Sequence, residues 1–127
     1  MKKHGILHGD LSGALARLGH TDIVFVADCG LPIPPGVPVV DLALVHGIPS
    51  FQQVLDALLA EMVFQKCTAA IEAKGGDAEL WLSARFENID FTGHEELKAL
   101  SASAKLIIRT GEATPFANAA LTCGVPF

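Results

Sequence analysis

Apolar residues recur at helical spacing in a few stretches of the chain and stand in short unbroken blocks between them. Over residues 10–19, Leu11, Leu15 and Leu18 fall on one face of a first helix. Asp10 is placed to accept hydrogen bonds from the free N–H groups of its first turn, and Gly19 fits the left-handed position that closes such a helix. The block 23–27 reads as a buried strand that ends at Asp28-Cys29-Gly30. Four prolines within 31–38 exclude helix there and predict a stiff loop, because each removes a backbone donor and restrains its predecessor. A second strand is expected over 39–44. Ser50 is an N-cap candidate for a second helix, whose apolar stripe is Phe51, Val54, Leu55, Leu58 and Leu59. A strand is expected within 64–72, closed by Lys74-Gly75-Gly76-Asp77, then a short helix over 78–87 and a short strand over 88–91. Gly93 opens a third helix running to about Ser103, and 105–109 and 117–123 form the last two strands.

Strands alternating with helices predict a single α/β domain, and no internal repeat, linker or low-complexity stretch divides the chain. Half of the residues are hydrophobic and 18% are charged, which excludes disorder. The charge is modestly acidic, 9 basic against 14 acidic residues, with no basic run to mark a nucleic-acid or anionic-membrane surface. The longest apolar block falls far short of the roughly 20 residues that a membrane helix needs. Lys2 and Lys3 are followed only by Ile6 and Leu7 before His8, so no export signal is expected and the chain reads as cytoplasmic. Cys29, Cys67 and Cys123 are odd in number and far apart, as for reduced thiols. The apolar bias, a mean hydropathy of +0.42, suggests that some hydrophobic surface is buried between subunits.

Five histidines raise the question of a metal. His4 and His8 are four apart, but Gly5 and Gly9 make a helix there unfavourable. No cysteine pair has zinc spacing and no His-Glu-x-x-His occurs, so no metal site is expected. Two clusters carry more chemistry. His20 lies in a helix-to-strand turn, and Asp28 lies at the carboxyl end of the strand that follows, where ligands bind in open α/β sheets. An imidazole exchanges protons near neutral pH, and a carboxylate beside it fixes its tautomer. Spacing alone also fits a surface turn histidine and an aspartate that only stabilises the next turn. His94 and Lys98, four apart, project from one face of the third helix and could donate to ligand hydroxyls, or simply form a solvated face with Glu95 and Glu96.

Taken together, Arg17-Leu18-Gly19-His20-Thr21-Asp22, Asp28-Cys29-Gly30-Leu31-Pro32-Ile33-Pro34, Asp41-Leu42-Ala43-Leu44 and Gly47-Ile48-Pro49-Ser50-Phe51 resemble the D-ribose pyranase family, which includes the L-fucose mutarotases. Gly93-His94-Glu95-Glu96, Ile108-Arg109-Thr110-Gly111-Glu112, Phe116-Ala117-Asn118 and the terminal Gly124-Val125-Pro126-Phe127 continue the match in family order. The resemblance implies a three-layer α/β/α sandwich around a mixed sheet, a cytoplasmic homo-oligomeric ring, typically a decamer, and no cofactor. It implies acid–base catalysis by His20 and Asp28 on a free monosaccharide, D-ribose before L-fucose, interconverting its pyranose and furanose rings. Asp28, His94, Lys98, Phe116, Ala117 and Asn118 are then the sugar-binding set, with subunits meeting at the site. Two departures stand out: Phe116 replaces the family tyrosine, and the stretch 64–89 is shorter than the family pattern. A non-catalytic sugar-binding accessory of pentose uptake is the alternative from another functional class.

Overall fold

The apolar block Ile23–Ala27 forms β1, and Val24, Phe25, Val26 and Ala27 are all buried, so both faces of this strand must be covered. The computed structural model describes residues 1–127 and supplies both covers. In chain order the elements are α1 (Gly9–Ala16), β1, β2 (Val39–Asp41), α2 (Phe51–Glu61), β3 (Phe64–Ala70), α3 (Asp77–Ser83), β4 (Ile89–Thr92), α4 (His94–Leu100), β5 (Leu106–Arg109) and β6 (Ala119–Cys123). Short 3₁₀ turns follow β3 at Ile71–Ala73 and α4 at Ser101–Ser103.

The six strands form one mixed sheet in the order β2-β5-β1-β6-β3-β4. β1 pairs in parallel with β5, Val24 opposite Leu106 and Ala27 opposite Arg109, and antiparallel with β6, Val26 opposite Ala119. Because β6 is antiparallel to both β1 and β3, it alone runs against the other five strands. The carboxyl ends of those five and the start of β6 therefore share one edge of the sheet. Side-chain alternation splits the core in two. Val24, Val26 and Ile108 meet Leu11 and Leu15 of α1, Phe51, Leu55 and Leu58 of α2, and Leu82 of α3. On the other face Phe25, Ala27, Ile107 and Ala120 meet Leu97 of α4, Ala104, and Leu31 from the proline-rich loop. This is the expected three-layer sandwich. Each large side chain buried this way contributes about 1.5–3 kcal/mol.

Element ends differ from the sequence reading for local reasons. His8, not Asp10, caps α1: its Nδ1 accepts from the Leu11 N–H at 3.2 Å, leaving Asp10 inside the first turn. The helix stops at Ala16, and the left-handed residue is Thr21, φ 70°, rather than Gly19. Gly19 instead donates its N–H to the Asp22 carboxylate at 2.8 Å. β2 ends at Asp41 because its Oδ1 accepts from Ala43 N and turns the chain. The helix expected over 78–87 starts at Asp77 and ends at Ser83, and β6 begins at Ala119, two residues later than expected. Ser50 does cap α2, in a capping box with Gln53.

The turn before α2 is locked to the segment after β5. Gly47 N donates to Gly111 O at 2.6 Å, and Gly111 N to Pro49 O at 2.9 Å. A Cβ on Gly111 would run into the carbonyl oxygens of Ile48 and Val45. Backbone cannot yield as a flexible side chain would, so Gly111→Ala is expected to destabilise the fold by about 3 kcal/mol, measured as a lower midpoint in urea denaturation.

Candidate functional site

Asp28 leaves β1 at the shared edge and is held from three sides. Its own N–H donates to Asn118 Oδ1 at 2.9 Å, Asn118 Nδ2 donates to its Oδ2 at 2.8 Å, and Gly30 N donates to its Oδ1 at 2.9 Å. Asn118 is fully buried just ahead of β6, so its amide is committed to orienting Asp28. A half-buried carboxylate fixed in this way keeps lone pairs for a ligand hydroxyl.

The segment leading into β6 also carries Phe116, whose φ of 61° is unusual for a bulky residue. Its ring meets the edge of the His94 imidazole, centroids 5.1 Å apart and planes at 81°. His94 is the first residue of α4, directly after β4 at the same edge. Its Nδ1 is buried without a hydrogen-bond partner, the one such side-chain atom in the molecule. An unpaired buried polar atom costs about 1–3 kcal/mol, which a ligand hydroxyl at this position would recover. Glu72, beyond β3, accepts from the His94 backbone N–H at 2.9 Å and replaces the side-chain cap that Gly93 cannot give α4. The Glu72 carboxyl is held below its ordinary range by its own backbone N–H, then by that of His94, with the imidazole charge a smaller contribution.

Asp28, His94, Phe116 and Asn118 are thus assembled at one edge. Ala117 is there too, but its side chain belongs to the core and only its backbone can face a ligand. Lys98, one turn along α4 from His94, pairs with Glu95 at 3.1 Å and is one-third exposed.

His20 is not part of this group within one chain. It precedes β1, whereas Asp28 follows it, and five strand residues separate them by roughly 17 Å or more. The expectation that Asp28 orients His20 is therefore not met inside a single chain. His20 is exposed and its Nε2 bonds Gln65 Oε1 at 2.9 Å. Beside it a cavity of about 400 Å³ is lined by Leu18, Glu61, Val63 and the terminal residues from Gly124 to Phe127.

Sequence reasoning missed four residues that set this geometry. Buried Glu112 accepts from Phe51 N at 3.0 Å and Thr114 Oγ1 at 2.9 Å, while its carbonyl takes the Cys29 N–H at 2.8 Å. Arg109 ties the Cys29 carbonyl, 2.9 Å, to the Asp41 carboxylate, 2.9 Å. Glu72 and Gln65 act through partners 22 and 45 residues away. No local pattern reveals such pairings. No three His, Cys, Asp or Glu side chains form a group able to hold a metal ion, and no helix is long and apolar enough to cross a membrane.

The pattern of the RbsD / FucU transport protein family matches residues 1–126. The D-ribose pyranase of Streptomyces avermitilis is 54% identical over 129 residues and that of Cutibacterium acnes 50% over 127, each match covering all of both chains. Among solved structures, Bacillus subtilis RbsD complexed with D-ribose superposes with a TM-score of 0.94 at 46% identity, covering all of both chains. The fucose mutarotase of Streptococcus pneumoniae in complex with L-fucose has a TM-score of 0.80 at 22% identity, over 99% of this chain and all of that one, a likeness of fold.

The Asp28–Asn118 lock has a measurable cost of removal. Asn118→Leu keeps approximate size but leaves the Asp28 N–H and carboxylate without their partner. The expected loss is about 2 kcal/mol of unfolding free energy by urea denaturation.

Proposed function

The chain belongs to the RbsD / FucU transport protein family, and from this we propose that it is a D-ribose pyranase, an isomerase that interconverts the pyranose and furanose rings of the free sugar. The observation that carries this reading is the 0.94 TM-score to a chain complexed with D-ribose. The fixed Asp28 carboxylate and the orphan His94 nitrogen support it, since a polyhydroxyl ligand supplies both donors and acceptors. Ribose ranks above fucose because the ribose-bound structure is 46% identical and the fucose-bound one 22%.

The reaction needs only protons in the right places. A proton delivered to the ring oxygen and another removed from the anomeric hydroxyl break the bond between C1 and the ring oxygen, giving the open aldehyde. After rotation, the C4 hydroxyl adds to C1, losing its proton while the carbonyl oxygen gains one. No electrons leave the sugar, so the scheme calls for no redox cofactor. General acid–base help of about 10²–10⁴-fold suffices for a reaction that also proceeds in water. In this reading His20 is the acid, Asp28 accepts or orients at the anomeric side, and His94 and Lys98 hold hydroxyls. Phe116 walls one sugar face, Ala117 offers its backbone, and Asn118 holds Asp28.

His20 reaches Asp28 only if it comes from another copy. Exposed aliphatic residues Leu44, Val45 and Ile48 occupy the turn pinned to Gly111, near the Asp28 end, while Val63, Val125 and Phe127 surround His20 at the other. Joining one end of a subunit to the opposite end of the next is a heterologous contact, which closes into a ring where the rotation between neighbours divides a full turn. The ten-subunit assembly implied by the resemblance fits this arrangement, and the same resemblance implies a cytoplasmic location.

Saturation-transfer NMR on ribose tests the activity directly: faster pyranose–furanose exchange marks an isomerase, whereas broadened sugar signals without faster exchange mark a binder. His20→Asn and Asp28→Asn should each abolish most of the exchange. Co-refolded in equal amounts, the two variants should recover about a quarter of wild-type exchange, because that share of sites draws both intact residues from different copies. A mixture as inactive as its components would mean that the site is not shared.

A further inference from the structure

The His20 turn is built with more constraint than a surface turn requires. Thr21, β-branched, stands at φ 70°, a conformation that costs about 1–3 kcal/mol and persists only where neighbours impose it. Those neighbours are the end of β6: Thr21 N donates to Cys123 O at 3.0 Å, and Cys123 N to Asp22 O at 2.9 Å. A second irregularity faces it. Between β3 and β6 the register advances by two residues on β3, Phe64 to Lys66, for one on β6, Cys123 to Thr122. Gln65 is the extra residue of this bulge, and bulges re-aim side chains that a regular ladder would direct elsewhere. Its amide oxygen lies 2.9 Å from His20 Nε2, the only hydrogen bond that the ring makes.

We propose that Gln65 is the positioning residue of the proton-transferring histidine: by accepting the Nε2–H of His20 it fixes one tautomer and leaves Nδ1 as the atom that exchanges protons with the sugar. The proposal rests on the reading of His20 as the acid. It also explains why a neutral amide serves. In the imidazolium both nitrogens carry hydrogen, and Gln65 Oε1 accepts from Nε2. When Nδ1 gives its proton to the ring oxygen, the neutral ring that remains is the Nε2–H tautomer, already paired with the same oxygen. The ring therefore passes through the cycle without turning over. The other titratable groups around the turn are engaged or uncharged partners: Asp22 with Gly19 N, Glu61 with Ile6 N, and Cys123, whose thiol is pushed up by burial and by the Asp22 charge.

The test combines ring nitrogen-15 NMR of His20 with ribose exchange kinetics on the intact protein. In the wild type, neutral His20 should show a protonated Nε2 and an unprotonated Nδ1. Gln65→Leu should give averaged ring shifts and lower kcat about tenfold, while KM for ribose changes less than about twofold. Gln65→Glu keeps the acceptor, so it should restore the single tautomer. Its charge favours the imidazolium, so the His20 titration should move to higher pH. A wild-type ring protonated at Nδ1, or a Gln65→Leu variant with unchanged ring shifts and kcat, overturns the proposal. Wild-type exchange by His20→Asn would instead overturn the functional reading of His20, an outcome separate from the tautomer measurement.

Discussion

The candidate site depends on one buried amide. Asn118 accepts the Asp28 N–H and donates to the Asp28 carboxylate, joining the end of β1 to the approach to β6 across 90 residues of sequence. An amide with its oxygen and nitrogen on opposite sides can make this reciprocal pair; a carboxylate or an aliphatic chain of the same size cannot. Because Asn118 is fully buried, water does not substitute for it. Phe116 two residues earlier, with His94 packed against its ring, takes its place from the same anchored segment. Glu112 fixes the far end of that segment, to the start of α2 and to Cys29.

The two ends of the molecule are built alike. Each carries a non-glycine residue in the left-handed region, Phe116 at one and Thr21 at the other. Each carries a polar side chain supplied from far along the chain, Glu72 to His94 and Gln65 to His20. Within one subunit His20 and Asp28 stand at opposite ends of β1. The sheet acts as a spacer that keeps these two ends at fixed distance and orientation, and under the proposed function they are the halves of a site shared between copies.

Much of this fold was legible because apolar periodicity is a local signal. The block 23–27 read as a buried strand, and Ser50 marked the start of α2. Boundaries shifted where a neighbouring side chain captured a backbone group, as His8 does ahead of Asp10 and Asp41 does at the end of β2. The candidate site residues came from family resemblance rather than from spacing, since His20 and Asp28 are near in sequence yet held apart by the strand between them. The supporting roles of Gln65, Glu72, Arg109 and Glu112 were invisible, although Arg109 and Glu112 lie in a segment that carries the resemblance. Each is an ordinary polar residue in its own neighbourhood and acquires a role only when the sheet order brings its partner alongside.

That sheet order has a consequence for how the chain is made. The strand filling the gap between β1 and β3 is β6, the last to be synthesised. Until Ala119–Cys123 are available, β2, β5 and β1 form one ribbon and β3 and β4 another, each with an open hydrogen-bonding edge along its most buried strand. The joining contacts, Val24 with Leu121 and Cys67 with Leu121, both wait for the same short segment. Long-range pairings of this kind are slow to form, and open edges are adhesive in the meantime. That segment therefore acts as a keystone: the two ribbons cannot be joined before it emerges from the ribosome, and a copy lacking Ala119–Cys123 would present two adhesive edges rather than a smaller version of the fold.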